Sequence, residues 1–284
     1  MSQQLLEEIP EFKKDTSIKP DQEGFIDWSA LTHIPTAKNA REFLIIAGVA
    51  VLIIGGVELL LRAFQVPSYI FPTPSGIFAS LVQSFEFLWP HLLITLEELA
   101  IGYTVGAVIG IILAGVITQF PFVEKVVTPY IILLVTTPML ALVPLLILKL
   151  GFGLEPRIVA VALAVGPMVM INSATGFRRT DLPKLALARS YGATTLQIFT
   201  KIRFPLALPM IIVGLMVGGI FGLLTAVGAE MVGGGSGLGS RLTYYSSLAR
   251  MEPFFATIVI IAALGISMYV LFYFIGKKWA SWEA

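Results

Sequence analysis

Five ionisable residues stand within or at the edges of long apolar runs of this 284-residue sequence: Glu58, Glu97, Glu98, Lys149 and Glu230. A charge in hydrocarbon costs a few kcal/mol at least, so such residues face a cavity, a partner chain or the headgroups. Glu58 and Lys149 lie near the ends of their runs and are expected to snorkel to the interface. Glu97 and Glu98 cannot both face lipid, and one of them suits a rim. Glu230 lies beside Gly228 and Ala229, where a neighbouring helix can approach closely. It has two readings, a carboxylate lining a path through the membrane or one bonded to the glycine-rich backbone that follows. Asn172, Ser173, Thr175, Thr136 and Thr137 either hydrogen-bond between helices or line such a path. Covalent and metal chemistry find no support. Cysteine is absent, and His33 and His91 lack companions at ligand spacing, so no metal site is expected. The GGGSG run at Gly233 has no strand before it and no Lys-Ser/Thr pair closing it, which excludes a phosphate cradle. No Ser/His/Asp constellation falls in a plausible cleft, so no catalytic residue is expected.

The elements that hold these residues are helices in a bilayer. Apolar residues make up 56% of the chain and charged residues 13%, with a mean hydropathy of +0.87, which no ordinary soluble domain reaches. The reading is all-α and polytopic, with about six transmembrane helices. Six apolar blocks approach the roughly 20 residues that span a bilayer: Phe43 to Phe64, Leu92 to Thr118, Val126 to Lys149, Ile158 to Phe177, Leu206 to Val232 and Phe254 to Ile275. The third carries Pro129, Pro138 and Pro144, so its hydrogen-bond ladder must be interrupted, and a break facing a cavity is more tolerable than one facing lipid. Met139, Leu140 and Leu142 beside the break suit the closing of a narrow path against the same residues of a second copy. Residues 1–40 form a polar cytoplasmic tail with no signal-peptide core. Its Phe25-Ile26-Asp27-Trp28 segment, with Leu31 and Ile34, is read either as a short interfacial helix or as part of a disordered tail. Residues 41–284 form the transmembrane domain. The two external segments, Val66 to Pro90 and Gly233 to Pro253, are long enough to carry short interfacial helices. Pro67, Pro72 and Pro74 stop any spanning helix in the first, which then runs on as an amphipathic stretch, and the GGGSG run of the second reads as a flexible re-entrant segment or loop.

One stretch does not belong in the membrane. Residues 178–205 contain Arg178, Arg179, Lys184, Arg189, Lys201 and Arg203, with two short amphipathic runs separated by Gly192. That pattern predicts two short helices joined at a glycine turn. Placing it on the cytoplasmic side, with both termini inside, also puts most other lysines and arginines there and leaves only Arg62, Lys149, Arg157, Arg241 and Arg250 outside.

The run Ala188-Arg189-Ser190-Tyr191-Gly192-Ala193, with Ile202 and Phe204-Pro205 following at fixed spacing, resembles the EAA loop of ABC-importer permeases, E-A-A-x-x-x-G-x9-I-x-L-P. Ala186 stands where that pattern has glutamate, Leu187 where it has alanine and Phe204 where it has leucine. Phe71-Pro72-Thr73-Pro74, the segment from Thr137 to Pro144 with Gly151-Phe152-Gly153, and Ala229-Glu230-Met231 before Gly237-Leu238-Gly239 resemble permeases of the nitrate/sulfonate/taurine type. The resemblance covers about Val66 to Trp282. It implies a type I importer permease in a bacterial-type inner membrane, whose coupling loop docks on an ATPase through Ala186, Ala188, Arg189, Tyr191, Gly192, Ala193, Thr194, Phe199 and Pro205. It also implies a path or gate at Thr137, Pro138, Met139, Leu142, Asn172 and Glu230. The implied partners are a second permease copy, two cytoplasmic ATPase subunits carrying ATP and Mg, an external binding protein, a small solute and membrane lipid, with no nucleic acid. The chain itself is expected to hold no cofactor and to hydrolyse no ATP, since it lacks a G-x4-G-K-S/T run. A rival class, an ion-coupled transporter or channel, would need midplane carboxylates or broken helices in two related halves, and no such repeat is visible. A membrane-embedded enzyme is a more distant reading. The solute is not specified: nitrate, sulfonates, taurine, pyrimidines, riboflavin and aromatic acids all occur in the resembling subgroup. No arginine cluster deep in the spans fits a desolvated anion.

Overall fold

The structure, a computed structural model, describes residues 40–179 and 182–279; the expectations for the tail before residue 40 lie outside them. The chain divides within its first helix into a unit ending at Gly48 and a unit from Val49 onward, and the packing below is that of the second. Among the described residues all regular structure is helical. The elements are α1 (Ala40–Ala63), α2 (Pro74–Gln119), α3 (Pro121–Thr136), α4 (Met139–Leu150), α5 (Glu155–Arg178), α6 (Leu182–Ser190), α7 (Thr195–Ile198), a π-helical turn (Phe199–Arg203), α8 (Phe204–Gly233), α9 (Leu238–Ser247) and α10 (Met251–Trp279). Five of these, α1, α2, α5, the α7–α8 run and α10, are long and apolar enough to cross a bilayer, and the bent pair α3 and α4 makes up to six spans.

Pro67 and Pro72 lie in the break between α1 and α2, as expected, whereas Pro74 and Pro90 belong to α2 itself. Pro74 takes the first helical position, where its missing N–H costs nothing, and the Thr73 hydroxyl accepts the Gly76 N–H at 3.2 Å. The helix then runs through Pro90 without ending, so the external amphipathic stretch and the second span are one element of 46 residues. At 1.5 Å per residue it is roughly 69 Å long, more than twice the ~30 Å hydrocarbon core. Glu58 of α1 is half-buried and bound to the start of α2. Its carboxylate accepts the Ser75 N–H at 3.0 Å and the Ser75 hydroxyl at 2.7 Å while Arg62 holds it from the same helix, so it sits at the positive end of α2.

The packing centre is α5. Gly102, Gly106 and Gly110 of α2 recur every four residues, and a Cβ on Gly106 would lie 2.6 Å from the Ala162 carbonyl oxygen. On another side Gly214, Gly218 and Gly222 of α8 meet Val169 and Val165. Two stripes of missing side chains thus let three backbones approach closely, which is how helices associate where lipid supplies no hydrophobic drive. Val161, Val165 and Val169 fill the space between them, completely buried with Leu99, Leu223 and Ala226. A separate cluster of Leu88, Leu238, Tyr245 and Ile260 joins the first half of α2 to α9 and α10.

The third span breaks as its prolines require, at one place. Helices α3 and α4 meet at 98° across Thr137 and Pro138, whereas Pro129 and Pro144 lie inside unbroken helices.

Candidate translocation path and coupling loop

At the break, Pro138 has no N–H to give the Leu134 carbonyl, and Thr137 N–H reaches Leu133 at 3.0 Å as the last bond of α3. The bend opens a cleft of about 330 Å³ between this corner and the middle of α5 and α8. Thr137, Pro138 and Met139 line it, facing Pro167 and Met168 of α5 and Thr225 of α8. Leu142 and Asn172 are not among its lining residues. Asn172 donates to the Met168 carbonyl at 2.8 Å, one turn back in its own helix. The hydroxyls of Thr136, Thr137 and Thr175 likewise bond carbonyls of their own helices, and the Ser173 hydroxyl is buried without a partner, so the expected interhelix bonds do not form at these positions.

Glu230 is also absent from the cleft wall. It is fully buried near the end of α8, where Oε2 accepts the Gly239 N–H at 2.6 Å and Oε1 lies 2.6 Å from the Thr95 hydroxyl of α2. Of the two readings of this residue, the structure forms the bond to the glycine-rich backbone. The same loop is fixed by a residue that sequence reasoning counted only as an external charge. Arg157, near the start of α5, donates to Glu98 Oε1 at 2.7 Å, to the Ser236 carbonyl at 3.1 Å and to the Gly234 carbonyl at 2.5 Å. His91 Nδ1 accepts the Gly237 N–H at 3.2 Å, and Thr95 accepts the Leu238 N–H at 3.0 Å. The loop expected to be flexible is therefore tied to α2, α5 and α8. Gly237 has φ +92°, and a Cβ there would overlap the Glu230 carboxylate, so glycine is required at that position. Glu98 is thus the inward carboxylate of the Glu97-Glu98 pair, and Glu97 is exposed.

At the other end of the bundle α6 and α7 form the expected helix pair. Gly192 turns between them with φ +78°, and Thr194 starts α7 with a reciprocal cap: its hydroxyl accepts the Gln197 N–H while Gln197 Oε1 accepts the Thr194 N–H. Ala186, Arg189, Tyr191, Gly192 and Thr194 are exposed, Tyr191 at 84%, and Leu187 and Leu196 add apolar surface beside them. Ala188, Ala193, Phe199 and Pro205 are half-buried. Phe199 points into the bundle. Its ring centroid lies 5.1 Å from that of Phe177 at the end of α5, and its edge would touch a Cβ on Gly115 of α2 at 3.1 Å. One side chain thus ties the loop to the two most tightly packed spans.

Comparison with known proteins agrees with this geometry. Residues 106–281 match the model of the family described as "binding-protein-dependent transport system inner membrane component". A "probable ABC transporter permease protein" of Haemophilus influenzae is 30% identical over 203 residues, covering 72% of this chain and 83% of the relative. A "putative aliphatic sulfonates transport permease protein" of Escherichia coli, SsuC, is 31% identical over 217 residues, covering 75% and 82%. Among solved structures, a chain of an amino acid ABC transporter crystallised with histidines superposes with a TM-score of 0.60 at 19% identity, covering 71% of this chain and 98% of that one. Fold and comparisons define the membrane-spanning permease subunit of an ABC importer, a multi-pass inner-membrane protein without a catalytic role of its own. The chain belongs to the family of binding-protein-dependent transport system inner membrane components.

Proposed function

We propose that two copies of this chain enclose a central path for a small solute, with the cleft at Thr137, Pro138 and Met139 forming the wall of that path on each copy. Two ATPase subunits, carrying ATP and Mg, dock from the cytoplasm on the Gly192 loop, and an external binding protein delivers the solute on the opposite side. Both termini lie inside, since this orientation places the basic loop, Lys277 and Lys278 with the cytoplasmic charge excess. The observation that carries the reading is the pairing of an exposed apolar edge, Leu187, Tyr191 and Leu196, with the inward Phe199 on the same loop. A push on the loop reaches α5 through Phe177 and α2 through Gly115. Closure of the ATPases on ATP then swings these spans between inward-open and outward-open states, each favoured by a different partner. The test is purification of the chain expressed with the ATPase and binding protein of its own operon. A stable complex whose ATPase is stimulated by the loaded binding protein is expected, and transport by this chain alone in ATP-free liposomes would contradict the reading.

A further inference from the structure

From the cleft's chemistry we infer that the path admits an uncharged organic solute with an apolar face and both hydrogen-bond donors and acceptors, and disfavours small anions such as sulfonates. The inference rests on the reading of this cleft as the path.

The walls come from three stretches, Val126 to Leu148, Ile158 to Phe177 and Phe204 to Ala229, and none of them contains a charged residue. Among the residues lining the cleft the only polar side chains are Thr136, Thr137 and Thr225. Thr136 and Thr137 already give their hydroxyl protons to carbonyls of α3, so they offer a passing solute lone pairs rather than a donor. What remains is the Thr225 hydroxyl and the backbone. Pro138 leaves the Leu134 carbonyl without its donor, and Pro167, inside α5, does the same to Leu163; both residues line the cleft. The end of α3 leaves the Val135 and Thr136 carbonyls outside the ladder, and the start of α4 leaves the Met139 and Leu140 N–H groups outside it, while Ala141 N–H turns back to Pro138.

The sign of this set decides the solute class. The start of a helix carries roughly +0.5 of an elementary charge and the end of a helix roughly −0.5. Here the end of α3 and the start of α4 lie side by side, so their fields largely cancel. An anion entering the cleft finds no guanidinium or ammonium to replace its water, and the freed carbonyls of Leu134 and Leu163 repel it. A desolvated ion without a partner is the costliest cargo for such a wall. A neutral molecule whose edge carries both an N–H or O–H and a carbonyl can use both halves of the break, and its apolar face matches Met139, Pro167 and Met168. A flat heterocyclic amide is the type.

The absence of native cysteine gives a direct test. Thr137→Cys and Met168→Cys place a thiol on two walls of the cleft, and Ile109→Cys places one on the exposed outer face of α2. The assembled importer, in membranes, is treated with methanethiosulfonates of similar size bearing a neutral hydroxyethyl, an anionic sulfonatoethyl or a cationic trimethylammonioethyl group, each rate being normalised to a free thiol. The hydroxyethyl reagent is expected to modify both cleft variants roughly tenfold faster than the α2 variant, and the anionic reagent to lag it in the cleft by roughly tenfold, as for an ion crossing an uncharged wall. If the anionic reagent keeps pace with the neutral one in the cleft, the inference is wrong while the path stands. If the hydroxyethyl reagent shows no preference for the cleft variants over the α2 variant, the path reading itself falls.

Discussion

Arg157 and Glu98 form a buried ion pair, Nη1 to Oε1 at 2.7 Å, with side chains 5% and 0% exposed. They lie 59 positions apart, and the guanidinium's remaining donors hold the Gly234–Ser236 loop. Removing one partner strands the other charge away from water, which costs about 3–5 kcal/mol. Arg157→Leu should therefore lower the thermal stability of the solubilised protein by that amount and release the loop. The double substitution Arg157→Leu with Glu98→Leu should cost less than the sum of the two single ones, because it leaves no lone carboxylate. Additive losses in unfolding experiments would show that the pair contributes nothing specific.

Helix α2 bears directly on α5 at Gly106. A valine there must push its Cβ against the Ala162 backbone, whereas at Gly55 of α1 nothing lies within 4 Å. Gly106→Val should abolish the folded protein or cost several kcal/mol by forcing the helices apart. Gly55→Val should be tolerated. Equal yields and melting temperatures for the two variants would contradict the packing described for α5.

These two sites show what the sequence made legible and what it did not. The spans are readable because a bilayer imposes a local rule, about 20 apolar residues in a row, and the missing N–H groups of Pro129, Pro138 and Pro144 point to a break in the third span without deciding which of the three carries it. The Gly192 turn is equally local. The bond from the glycine-rich backbone to Glu230 is one of the two readings the local sequence offers, whereas Arg157 with Glu98 depends on which helix faces come together, and no short pattern encodes that. The glycine series at Gly102, Gly106 and Gly110 is a signal that could have identified the α2–α5 contact, since its four-residue spacing marks one helix face. The fusion of the outer stretch with the second span was hidden by Pro90, which removes a single hydrogen bond from a 46-residue helix without ending it.

Gly192 adopts φ +78° with open space beyond its Cα. Gly192→Val adds strain of roughly 1–2 kcal/mol from the left-handed backbone and an exposed branched side chain at the docking edge. Binding-protein-stimulated ATPase activity should fall at least several-fold while the chain still inserts and folds. Gly192→Asn, which tolerates that conformation, should keep most of the activity. Wild-type stimulation in the valine variant would remove this turn from the coupling role.

Orientation can be read by labelling. Thr194→Cys on the coupling loop should react with an impermeant maleimide only after the membrane is opened, and Ser246→Cys, at an exposed position of α9, should react in intact spheroplasts. The charge distribution predicts this order. The opposite pattern would invert the topology and detach the loop from any cytoplasmic partner.

The claim that the Gly192 loop is where ATP-driven motion enters the membrane is tested most directly by cross-linking from Tyr191, 84% exposed at the tip between α6 and α7. Tyr191→Cys in the assembled importer, labelled with a maleimide that carries a benzophenone and then irradiated so that the benzophenone inserts into a neighbouring C–H bond, should give a product of the combined mass of permease and ATPase, in a yield that changes when ATP is added. An ATPase that copurifies and turns over, yet gives no such product from Tyr191→Cys in any nucleotide state, would contradict the account.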